Sequence, residues 1–90
     1  MVPSPQDSEL RAQIAALRSR RHNLRPADIE TLATNAGWTH RHTKGSHKIY
    51  SKQGFWANLS VPQHRTLSGR LALGLLRIIE ASLDEDGGDE

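Results

Sequence analysis

The chain predicts an α+β domain: a three-stranded antiparallel sheet with helices on one face, plus an extra helix at the N-terminus. Three observations carry this. Apolar residues recur at helical spacing before Gly37 and again after Thr66. Three short strand-like runs lie between them, and glycine-containing pairs separate those runs. Ninety residues make one small domain, and 36% hydrophobic content gives it a modest core. Four aromatics, Trp38, Tyr50, Phe55 and Trp56, supply much of the bulk of that core.

Residues 1–6 read as a disordered leader, with two prolines and no periodicity. A first helix starts at Asp7 or Ser8, whose short polar side chains can cap free amides, and ends at His22-Asn23. Leu10, Ile14, Ala16 and Leu17 form its apolar stripe, while Arg11, Arg18, Arg20 and Arg21 decorate the other faces. A second helix follows Pro26, a residue suited to the first turn, and Asn35-Ala36-Gly37 closes it. Ile29, Leu32, Ala33 and Ala36 are its apolar positions.

Strands are expected at Trp38–Thr43, Ser46–Lys52 and Phe55–Val61, joined at Lys44-Gly45 and Gln53-Gly54, with Pro62 ending the third. Strict alternation along the first strand puts Trp38, His40 and His42 on one side, with Thr39, Arg41 and Thr43 on the other. In the second, His47 and Ile49 share a side, opposite Ser46, Lys48 and Tyr50. The last helix starts near Thr66 or Ser68 and carries Leu67, Leu71, Leu75, Leu76, Ile78, Ile79 and Leu83. Asp84–Glu90 reads as a disordered acidic tail. The divisions are thus 1–23 for leader and amphipathic helix, 24–83 for the main domain, and 84–90 for the tail.

With no cysteine, a disulfide-stapled secreted domain and a thiolate metal site are both excluded. No apolar run reaches the ~18 residues of a membrane span, and the N-terminus lacks the pattern of a secretory signal, so a cytoplasmic protein without membrane contact is expected. The formal net charge of +2 hides an asymmetry, because five of the ten acids fall in the last seven residues. Residues 1–83 hold twelve basic and five acidic residues, a net of +7. Such a surface favours phosphate-bearing partners.

Five histidines are many for this length, and four fall between Trp38 and His64. A metal site would need three or four ligands to converge, yet His40 and His42 are the only close pair. Polar strand filler is the plain structural account. The chemical account is acid–base catalysis on a phosphodiester: imidazole, with a pKa of ~6.5, takes and gives protons near neutrality. Arg41, Lys44, Lys48, Lys52 and Arg65 lie nearby to hold a phosphate.

Gly37-Trp38 at a helix end, then Lys44-Gly45-Ser46-His47 with Ile49-Tyr50, then Val61-Pro62-x-His64, resembles the HicA family of toxin–antitoxin systems. The resemblance spans roughly Leu24 to Leu83. It implies an α-β-β-β-α fold similar to a double-stranded-RNA-binding domain. It also implies an mRNA-cleaving ribonuclease, free of metal or other cofactor, held inactive by a HicB-type antitoxin. The family's catalytic histidine maps onto His47, with Gly45 and Ser46 forming the turn that presents it. His64 matches a second histidine of the pattern, for phosphate binding or for capping the last helix. Where the family usually carries an arginine four residues after the tryptophan, this chain has His42, with Arg41 beside it.

Lys44, Lys48 and Arg41 are then the expected phosphate-binding residues. Trp56 is expected in the core, since so small a domain has few large side chains to fill it; on the open sheet face it would instead stack a base. Two other readings use the same residues: a non-catalytic RNA-binding module of the same fold, and a protein-interaction domain built on the N-terminal helix.

Overall fold

Capping and turn chemistry set the element boundaries. The computed structural model describes residues 5–87. Helix α1 spans Pro5–Ser19 and is followed by a single 3-10 turn, Arg21–Asn23; α2 spans Pro26–Asn35 and α3 spans Gly69–Gly87. Between the last two helices run β1 (Thr39–Lys44), β2 (His47–Ser51) and β3 (Leu59–Pro62). Pro26 opens α2. At its other end Gly37 takes φ +97°, and the amides of Gly37 and Trp38 return to the carbonyls of Thr34 and Ala33. That closure needs a residue at ease with positive φ, which is why glycine follows Ala36. Ser68 caps α3, its Oγ accepting from the Leu71 amide at 3.2 Å.

The strands form one antiparallel meander in the order β1-β2-β3. Tyr50, Leu59 and Val61 are buried against the helices while Ser60 is exposed, so one face of the sheet is covered. All six residues of β1 are exposed. Ile14 of α1, Ile29 and Leu32 of α2, and Leu76 and Ile79 of α3 join Leu59 and Val61 in a single core. Helix α1 therefore packs as part of the same body. Arg11 binds Asp84 and Arg18 binds Glu80, both at 2.9 Å, tying α1 to α3.

Several expectations change. Residues 55–58 are not strand: the Phe55 amide turns back onto the Lys52 carbonyl, and the Phe55 ring packs edge-on to Trp38 at 5.7 Å, closing the end of the core. The third strand is left with Leu59–Pro62, its proline tolerated because β3 is an edge strand. Helix α3 continues past Leu83 to Gly87 where the acidic tail was placed, with Asp84 held by Arg11. Trp56 is exposed, not in the core. Of the expected leader 1–6, Pro5 and Gln6 are helical and open α1, two residues before the expected start, while residues 1–4, like 88–90 of the tail, lie outside the described residues.

Candidate functional site

The β1–β2 hairpin presents the candidate site. Lys44 and His47 are its last register pair, and the two-residue loop between them is Gly45-Ser46. Gly45 takes φ +60°, the conformation that type II′ hairpins place at the first loop position. The Ser46 carbonyl accepts from the Gln63 amide at 2.7 Å. That bond draws the β3–α3 connection, and His64 within it, to the same end of the sheet as His47. Lys44, Gly45, Ser46, His47 and His64 are all exposed.

Register decides which side chains share a face, because directly opposed residues project to the same side. An irregularity between His40 and His42 inserts Arg41 as an extra residue, so His40 pairs with Tyr50 while His42 pairs with Ile49. Tyr50 and Ile49 are consecutive and point to opposite faces. The expectation that His40 and His42 share a side is therefore corrected: the bulge separates them. His40 lies on the helix-facing side, its ring 5.3 Å from that of Tyr50 and its Nε2 3.2 Å from Thr43 Oγ1. The open face holds His42, Lys44, His47, Ile49 and Ser60, none of them buried. His42 and His47 are diagonal neighbours there.

Of the expected phosphate-binding residues, Lys44 and His64 lie at the His47 end, and Arg41 sits exposed at the bulge. Lys48 is on the opposite face, where its Nζ donates to Glu30 Oε1 at 3.3 Å. Tyr50 Oη donates to the same oxygen at 2.9 Å and Gln63 Nε2 donates to Oε2 at 3.0 Å. Burial acts to raise the pKa of Glu30, but the hydrogen bonds from Gln63, Tyr50 and Lys48 outweigh it and hold the carboxyl below its ordinary value. Burial first, then the bond to Glu30, push the Tyr50 hydroxyl up to about 12. Among the described residues no three His, Asp or Glu side chains are grouped to hold a metal ion, and no helix is long and apolar enough to cross a membrane.

Sequence reasoning passed over two features of this site. His42 belongs with His47, which only the register reveals. Residues 31–79 contain no aspartate or glutamate, against seven lysines and arginines; that signal was present in the sequence. With Lys48 neutralised by Glu30 of α2, the open face and its rim carry cationic and imidazole groups without a carboxylate from their own segment. No family model matches the chain, nor does any curated protein or solved structure.

Proposed function

We propose that the chain is an RNA-cleaving toxin of the HicA type, cytoplasmic, acting on mRNA and silenced by a HicB-type antitoxin. The element order α2-β1-β2-β3-α3 supports a fold similar to a double-stranded-RNA-binding domain. One observation carries the functional reading. His47 and Lys44 face each other across the Gly45-Ser46 turn, both exposed, and neither side chain is bonded to another described residue. An imidazole next to an ammonium is suited to move a proton while the phosphate is held and its developing charge stabilised.

In this mechanism a ribose 2′-hydroxyl gives its proton to His47 as its oxygen attacks the adjacent phosphorus. The bond from phosphorus to the 5′-oxygen of the next nucleotide breaks, and that oxygen takes up a proton. His42, on the same face, is the imidazole placed to supply it. The products are a 2′,3′-cyclic phosphate and a free 5′-hydroxyl, and atoms and protons balance without a cofactor. Arg41 and His64 hold flanking phosphates. Lys48 is left out, because Glu30 binds it on the other face. The antitoxin would cover His47 with an acidic counter-surface.

Purified wild type should cleave RNA in EDTA, and His47→Ala should cut roughly 10²–10⁴-fold more slowly. Unchanged circular dichroism would show that the exposed side chain was not needed for folding. Binding without cleavage by the wild type would leave an RNA-binding module, and equal cleavage by both proteins would move the chemistry off His47.

A further inference from the structure

Trp56 is 83% exposed, and among the described residues no other large hydrophobic side chain is left in solvent. The other three aromatics are held by the fold. Trp38 is buried, its Nε1 donating to Ser82 Oγ at 3.3 Å, Tyr50 is buried beside Glu30, and Phe55 is packed against the core. Trp56 touches Phe55, with ring centroids 5.4 Å apart and planes tilted by 37°. Phe55 in turn meets Trp38 edge-on. The indole is therefore seated on an anchored ring while most of its own surface stays open.

The chain around it is basic in sequence. Trp56 lies within the 31–79 stretch that has seven lysines and arginines and no acid. A polyanion with flat apolar rings matches both properties, and RNA whose bases are accessible is such a polyanion. Trp56 follows the last residue of β2 by five positions, and His47 is the first residue of the same strand. At about 3.3 Å per residue, the four steps from His47 to Ser51 span roughly 13 Å of sheet before the turn that carries Trp56.

We propose that Trp56 is a stacking platform for one unpaired base of the RNA, a few nucleotides along the strand from the phosphate positioned at His47. The proposal rests on the RNA-cleaving reading above and adds to it a second binding position and a demand on the substrate. Stacking on indole needs a base with a free face, so the strand must be unpaired at that point. A duplex-binding surface recognises shape and backbone instead, and gains nothing from an exposed indole.

The test uses the full-length His47→Ala protein, which leaves RNA intact during titration. Single-stranded oligoribonucleotide of mixed sequence, and the same sequence as a duplex, are followed by anisotropy of a labelled strand and by tryptophan emission. Trp38 is buried, so a change in emission on binding reports Trp56. Single strands should quench the emission and bind more tightly than the duplex. Adding Trp56→Ala should weaken single-strand binding roughly 5- to 100-fold, with thermal unfolding unchanged, and Trp56→Phe should restore most of the affinity. If Trp56→Ala binds single strands like its parent, while Lys44→Ala binds them more weakly, the stacking proposal is overturned and the RNA reading survives. Equal affinity for duplex and single strand also overturns it. If neither RNA binds even at low salt, both readings fall together, and the exposed indole then belongs to a protein contact.

Discussion

Glu30 is the residue on which the support of the hairpin converges, since Lys48, Tyr50 and Gln63 all bond to its carboxylate. Its folded pKa is lowered, so its contribution is present above the ordinary carboxylate value and lost as pH falls through the lowered one. For Tyr50 the sign reverses. Its pKa is raised from 10.0 to about 12, so its contribution is complete below 10.0 and lost between 10.0 and about 12. Tyr50→Phe should therefore destabilise the protein by about 1–2 kcal/mol at neutral pH, measured by urea unfolding. The gap from wild type should narrow as pH rises through that window. Glu30→Gln should instead show a gap that closes in acid. A gap independent of pH in either variant would contradict this account of the cluster. None of it was legible in the chain: the partners of Glu30 lie 18, 20 and 33 residues away, and a lone glutamate on a helix reads as a solvated position.

At the scale of elements, the hairpin and α1 show what local pattern predicts and what it misses. Gly45 was legible as a turn residue, and its φ of +60° bears this out. Gly45→Ala meets no neighbouring atom and should cost about 1 kcal/mol from backbone strain alone, read as a shift in the urea midpoint. In β1 the alternation of residues was assumed to be strict, and the bulge at Arg41 broke it. No proline or glycine marks that position. The amphipathic stripe of α1 was legible, and Leu10 and Ile14 are indeed buried. Ile14→Ala should cost about 2–4 kcal/mol, whereas Arg18→Ala, which breaks a half-exposed ion pair with Glu80, should cost less than about 1 kcal/mol. If Ile14→Ala proves as mild as Arg18→Ala, α1 is not part of the cooperative core.

For the whole molecule, the distribution of charge matters more than its sum. Five acids lie in residues 7–80, and four of them, Asp7, Asp28, Glu30 and Glu80, are ion-paired with arginine or lysine within the fold. The open face is left to cations and imidazoles. RNA affinity of the His47→Ala protein should therefore fall linearly on a log–log plot against salt, with a slope of roughly −0.7 for each phosphate contacted. Contacts by Lys44 and Arg41 alone predict a slope near −1.4 on that basis. A slope near zero between 50 and 200 mM salt would argue against a phosphate-binding face.

Element order, the Gly45 turn and the apolar stripes followed from the sequence by itself, because periodicity and turn chemistry act over a few neighbouring residues. The tertiary structure alone decided that His42 rather than His40 accompanies His47, that Lys48 is bound to Glu30, and that Phe55 rather than Trp56 fills the end of the core. Each of these depends on contacts between distant segments. A one-residue bulge reverses every side chain beyond it, a carboxylate from α2 captures a lysine from β2, and room beside Trp38 admits one ring of two. Local sequence records none of those competitions.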